Sequence, residues 1–328
     1  MKLAIGLLGI FLAGAPAWAL EREPLSLEAT IPLGRVSGRI DHLAIDLSRK
    51  RLYVAELGND SVGVVDLRSG KLLRTLTGLS GPQGLVYVPA TDQLYVANAG
   101  DGSVRIFNGS DMSPAGLIAL GNDADNLRLD PLGRFVLAAY ANGALAVLDL
   151  AQRKNIGDIS LRAHPEGFQI SHDGQRAYVN VPDNHEIAVV DLVTRKQSAT
   201  WPTGGLHANF PMSLDESAAG LWVAFRSPRR LVLYDLVSGT PRQTVETCGD
   251  IDDVFTDSRR HRVYVVCGDG HVDIWQRQQG ASMRVARLVT RVGARTGLYV
   301  PELDRLFVAV RASGTEPAAI LVYRPSAP

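Results

Sequence analysis

Seven positions along this chain recur at intervals of 41–44 residues, and all are polar: Asp41, Gln83, Asp125, Glu166, Asn209, Asp252 and Thr296. The position after each gives a second column: His42, Gly84, Asn126, Gly167, Phe210, Asp253 and Gly297. Four members of the first column are acidic, and Asp253 adds another carboxylate. Carboxylates brought together raise one another's pKa and attract protons or metal ions. His42, His164 and His207 fall at or just before the same positions. With Glu166, Asp41 or Asp252 they offer a mixed imidazole–carboxylate ligand set, although no HxH or HExxH spacing fixes one. Arg39 and Arg295 flank the columns; they read as partners for the carboxylates or as a clamp for a substrate carboxylate or phosphate. No GxSxG, Walker glycine loop or CxxCH accompanies these residues, so neither an acyl-transfer nucleophile, a nucleotide cradle nor a covalent c-type haem is indicated.

A column this regular needs a repeating element to carry it. Each unit holds an apolar strand: RLYVAE (51–56), QLYVAN (93–98), RFVLAAY (134–140), RAYVNV (176–181), GLWVAF (220–225), RVYVVC (262–267) and RLFVAV (305–310). A second strand follows each: SVGVVDL (61–67), SVRIFNG (103–109), ALAVLDL (144–150), EIAVVDL (186–192), RLVLYDL (230–236), HVDIWQR (271–277) and AAILVYR (318–324). Flanked by two further short runs and tight turns, these make four strands per period of roughly 40 residues, the pattern of a β-propeller blade. The seventh unit stops after Arg324 without a fourth strand, while LSLEATIPL (25–33) alternates like an outer strand before the first unit. The expected fold is therefore all-β: a seven-bladed propeller of four-stranded antiparallel blades. Blade starts fall near 40, 82, 124, 165, 208, 251 and 295, and residues 25–33 complete blade seven so that no edge stays open. The two polar columns then ring the mouth of the central channel. Turns carrying Arg49-Lys50-Arg51, Arg68, Lys71, Arg153-Lys154, Arg195-Lys196 and Arg259-Arg260 fall on the other face, which is expected to be basic.

The RLYVAN-like strands, the Ser171-His172-Asp173-Gly174 turn and the VVDL strands resemble the YVTN repeat. That repeat builds the seven-bladed propellers of the YncE-like family and of prokaryotic surface-layer proteins. The resemblance spans about residues 25–325 and implies the fold; propellers host unrelated activities, so it does not fix a function. It also points toward propellers that partner redox proteins and toward DNA binding ascribed to YncE-like proteins. Single-strand binding needs exposed aromatics along a basic track, whereas Tyr53, Tyr95, Tyr178, Trp222, Tyr264 and Phe307 all lie within strands, where burial is expected.

The first residues, MKLAIGLLGIFLAGAPAWAL, show a short positive start, an apolar run and Ala17-Trp18-Ala19. This reads as a signal peptide over 1–19, with one propeller domain over 20–328 and a periplasmic or secreted product. No later run is long enough to span a bilayer. Basic and acidic residues balance at 34 each, which favours neither nucleic acid nor an anionic surface. The two cysteines, Cys248 and Cys267, end strands of neighbouring blades. In an oxidising compartment they are expected to pair, with two buried thiols as the alternative.

Together these readings describe an exported, monomeric, non-catalytic binding module with no cofactor. Its ligand is a small polar molecule or an envelope protein, met through Asp41, His42, Gln83, Asp125, Asn126, Glu166, Asn209, Asp252, Asp253 and Arg295 at an acidic mouth. The alternatives are a hydrolase or lactonase with a divalent ion at that mouth, a propeller partner of a redox protein, and a DNA-binding propeller.

Overall fold

The structure, a computed structural model, describes residues 23–141, 143–278 and 280–327. The expected signal peptide over 1–19 lies outside the described residues. Seven four-stranded antiparallel sheets follow one another around a ring. Blade 1 consists of strands A to D at Leu43–Asp46, Arg51–Glu56, Ser61–Asp66 and Lys71–Leu76. Blades 2 to 6 occupy 82–119, 124–160, 168–202, 207–246 and 251–289. Blade 7 takes Gly297–Val300, Arg305–Val310 and Ala319–Pro325 as strands A to C, and Leu25–Pro32 as strand D.

The closure of blade 7 repeats the geometry of the others. Every strand C–strand D pair carries a register shift, and the pair formed by Leu25–Pro32 has its own between Leu27 and Ala29. Such a shift increases local twist, so the N-terminal strand behaves as an ordinary outer strand. Glu28 at its centre is held by Arg305 and Arg324 of the same blade.

The strand B segments read as near-continuous apolar runs because both faces of each blade are covered. Alternate residues point opposite ways: Leu52 and Val54 pack toward blade 7, whereas Tyr53 and Ala55 pack toward blade 2. Seven apolar clusters result, one between each pair of neighbouring blades. Tyr53, Tyr95, Tyr178, Trp222, Tyr264 and Phe307 are buried in them, so none is available to stack on a nucleic-acid base. Cys248, just after strand D of blade 5, and Cys267, ending strand B of blade 6, are joined by a disulfide with Cα atoms 5.9 Å apart.

The face opposite the mouth is less basic than its turn arginines imply, because carboxylates in the same turns take them up. Arg49 reaches Asp46 at 2.9 Å and both oxygens of Asp92, in the next blade, at 2.8 Å. Arg260 repeats this arrangement, reaching Asp257 at 3.0 Å and Asp304 of blade 7 at 2.7 and 2.8 Å. These arginines fasten neighbouring blades together instead of presenting free charge.

Candidate functional site

At the mouth, strand A leaves regular pairing in blade after blade. In blades 2, 3, 5 and 6 the register between strands A and B shifts at 82–85, 124–127, 209–212 and 251–253. In blades 1 and 4, Asp41-His42 and Glu166-Gly167 stand just before strand A, both residues of each pair bonding one residue of strand B, Ala55 and Asn180 respectively. Residues thrown out of a ladder can aim side chains away from the sheet, and here they turn into the channel. The inner strands also crowd one another. A Cβ on Gly84 would sit 2.1 Å from the Asp125 carbonyl, and one on Gly167 would sit 2.4 Å from the Phe210 carbonyl. These glycines therefore set the spacing of the acidic positions, a role their ordinary place near turns did not advertise.

The resulting cavity has a volume of ≈ 350 Å³. Asp41, His42, Gln83, Asp125, Asn126, Glu166, Asp252 and Asp253 line it, joined by Asp123, Arg128, His164, Arg226 and the Phe210 ring, with Arg39 at its rim. Two expected residues stand elsewhere. Asn209 is fully buried, and its Nδ2 donates to Asn180 Oδ1 at 2.9 Å and to the Glu186 carbonyl at 3.1 Å. It fastens blade 5 to blade 4. Arg295 stands behind the wall, 2.9 Å from Asp250 and 3.7 Å from Asp252.

The mouth is not uniformly acidic: six carboxylates line it together with three guanidiniums. Their distribution is uneven. On the side formed by blades 5, 6, 7 and 1, each arginine has its carboxylate. Arg39 meets Asp41 at 3.0 Å and Asp252 at 3.8 Å. Arg226, stacked 4.2 Å over the Phe210 ring, meets Asp252 directly and Asp250 at 3.6 Å. His42 stands between Asp41 at 3.7 Å and Asp253 at 3.9 Å. On the side formed by blades 3 and 4, Asp125 and Glu166 have no guanidinium within ion-pair distance among the described residues. Their neighbour is His164, whose Nε2 lies 3.9 Å from Asp125 and whose Nδ1 lies 2.5 Å from the Ala141 carbonyl.

Burial and mutual repulsion hold protons in this mouth. Burial pushes Asp41 and Asp252 up to about 6, and Asp253 up to about 7. Burial, with Asp125 and Asp252 nearby, pushes Glu166 up to about 8. The Asp125 carboxylate beside His164 pushes that imidazole up to about 9. A mouth so arranged accepts positive charge: an incoming cation or hydrogen-bond donor can replace a proton that the carboxylates already hold. Below the polar layer the channel continues as a second cavity of ≈ 390 Å³ walled by Leu43, Leu85, Leu127 and Leu298. Arg128 borders both levels, 5.7 Å from the centre of the Phe168 ring, and burial depresses its pKa.

Three charged lining residues, Asp123, Arg128 and Arg226, were missed by sequence reading, and the two arginines left a trace. Arg128 is a charge within strand A of blade 3, ADNLRL, where the neighbouring positions are apolar. Arg226 lies in the two-residue extension, Arg-Ser, that makes strand B of blade 5 longer than most.

Fold and site together define a seven-bladed β-propeller with a charged channel mouth. Its structure is similar to a chain of Kuenenia stuttgartiensis hydrazine synthase, with a TM-score of 0.67 and 15% sequence identity, covering 90% of this chain and 96% of that one. At this identity the likeness establishes the fold alone. No family model matches the sequence, and no curated protein matches it.

Proposed function

We propose that this propeller is a binding module whose channel mouth captures a small polar ligand carrying positive charge or several hydrogen-bond donors. One observation carries the reading: Asp125 and Glu166 line the cavity without an arginine partner, whereas Asp41 and Asp252 opposite them are already engaged. Arginines so engaged are poor receptors for an anion, because binding one would strip the buried carboxylates of their counter-charge. The repeat residues support a YVTN-type propeller, and the leader pattern and the Cys248–Cys267 disulfide support action outside the cytoplasm.

The test is a thermal-shift panel of spermidine, glucosamine, glucose and citrate on the wild type and on D125N/E166Q. The reading expects a stabilising amine or polyol whose effect disappears in the variant. Preference for citrate, or a shift unchanged in D125N/E166Q, would refute it.

A further inference from the structure

We propose that Asp125, Glu166 and the Nε2 of His164 form a site for one divalent transition-metal ion on the blade 3–blade 4 side of the mouth. The inference deepens the reading of the mouth as a cation-accepting site and rests on it.

Four independent features converge there. One ligand atom from each of the three side chains lies within 4.8 Å of the other two. Ligands around one zinc ion sit about 2.0–2.2 Å from it, so neighbouring ligand atoms are roughly 3–4 Å apart. Closing the remaining gap takes small side-chain rotations of His164 and Glu166, which are only half-buried. Second, the His164 ring is already oriented. Its Nδ1 donates to the Ala141 carbonyl at 2.5 Å, leaving Nε2, the atom nearest Asp125, to face the cavity as a ligand. A metal-binding histidine is commonly fixed by a hydrogen bond of this kind from its other nitrogen. Third, the Asn126 side-chain oxygen lacks a hydrogen-bond partner although the residue is only 3% exposed, and Asn126 lines the same cavity. A buried amide oxygen without a donor is costly, and a hydrated cation beside Asp125 would supply one. Fourth, among the described residues no guanidinium stands within ion-pair distance of Asp125 or Glu166, although Arg128 of blade 3 borders the cavity, whereas on the far wall Arg39 and Arg226 pair directly with Asp41 and Asp252.

The donor set decides the ion. Two carboxylates and one imidazole suit zinc, a borderline ion, best; manganese, a harder ion, suits the carboxylates, and calcium prefers oxygen alone. Three protein ligands leave further coordination positions open toward the ≈ 350 Å³ cavity.

One neighbouring feature competes for metal and serves as the control. His185 and His207 bring their Nδ1 atoms to 3.3 Å and share an adjoining pocket with His164 and Glu166. They sit outside the proposed ligand set.

The experiment is calorimetric titration of the untagged, EDTA-treated and dialysed full chain with zinc chloride, then with manganese chloride. The proteins are wild type, D125N/E166Q, H164A and H185A/H207A, with circular dichroism confirming that each is folded. The expected result is one ion per wild-type chain, affinity lowered about 100-fold or more in D125N/E166Q and H164A, and no change in H185A/H207A. X-ray absorption of the zinc-loaded wild type should show one imidazole with oxygen ligands, a readout that does not depend on any variant. No stoichiometric binding, loss of binding only in H185A/H207A, or a two-imidazole absorption signature would overturn the proposal. Spermidine and glucosamine binding to the metal-free chain separates the two levels. If these persist while zinc fails, only the metal site falls; if neither probe nor zinc binds, the reading of the mouth falls with it.

Discussion

Replacing Asp253 by asparagine should stabilise the protein, and more so at pH 8 than at pH 5. The carboxyl is 8% exposed; its Oδ2 accepts from the Gly297 amide at 2.8 Å, and its charged neighbours are His42, Asp252 and Arg128. Burial is the largest influence and pushes the pKa from 3.8 to about 7. Between those values the folded chain holds a proton that the unfolded chain releases. Stability therefore falls as pH rises through that window, and the loss is complete above the folded value. At 1.36 kcal/mol per unit, with an unfolded pKa near 3.9, the deficit is about 1.5 kcal/mol at pH 5 and about 4 kcal/mol at pH 8. Asparagine keeps an oxygen for Gly297 without the charge, so D253N recovers most of this. With a melting entropy of roughly 2 cal/mol/K per residue over 328 residues, 1 kcal/mol shifts Tm by about 1.5 °C. Calorimetry in EDTA should show Tm raised by about 2 °C at pH 5 and about 6 °C at pH 8. A variant that melts at or below wild type at pH 8, or gains equally at both pH values, would refute the reasoning.

The Cys248–Cys267 bridge closes a loop of sequence separation 19, so C248A/C267A should lose about 3 kcal/mol in urea unfolding; an unchanged midpoint would show that the bridge constrains nothing. R260M leaves Asp257, only 1% exposed, without its cation and should cost about 3 kcal/mol, whereas removing the exposed Arg259 should cost under about 1 kcal/mol. Deleting 25–32 strips strand D from blade 7 and exposes the edge of Ala319–Pro325. Size-exclusion chromatography should then show self-association, and a monomer with wild-type melting would contradict the closure.

What the sequence made legible follows from what repeats. Strand B of every blade is buried on both sides, so its apolar run recurs seven times and fixes the ring; the lone strand before unit one and the missing one after unit seven then imply closure. The columns at the mouth were visible for the same reason, since each blade presents them at the same turn. What one blade does alone was hidden. Asn209 occupies a mouth position by count but is turned into the blade 4–blade 5 contact by its neighbours Asn180 and Glu186. Arg226 reaches the mouth from the far end of a different strand, placed by the Phe210 ring. Charge pairing was equally hidden. The turn arginines Arg49 and Arg260 looked free although Asp46 and Asp257 stand three residues before them, and their second partners, Asp92 and Asp304, lie more than 40 residues further along the chain. The division of the mouth into an arginine-clamped wall and an unclamped one depends on such long-range pairs, and no local pattern encodes it.

The central claim is that the mouth, at the side of Asp125, His164 and Glu166, is where this protein binds. Hydrogen–deuterium exchange tests it most directly, measured with and without whichever panel compound or divalent ion gives the largest thermal shift. The account predicts added protection confined to the segments around 39–42, 123–126, 164–167 and 250–253. Protection centred instead on the turns around Arg49, Arg195 and Arg260 on the opposite face, or no protection from any compound or ion, would contradict it.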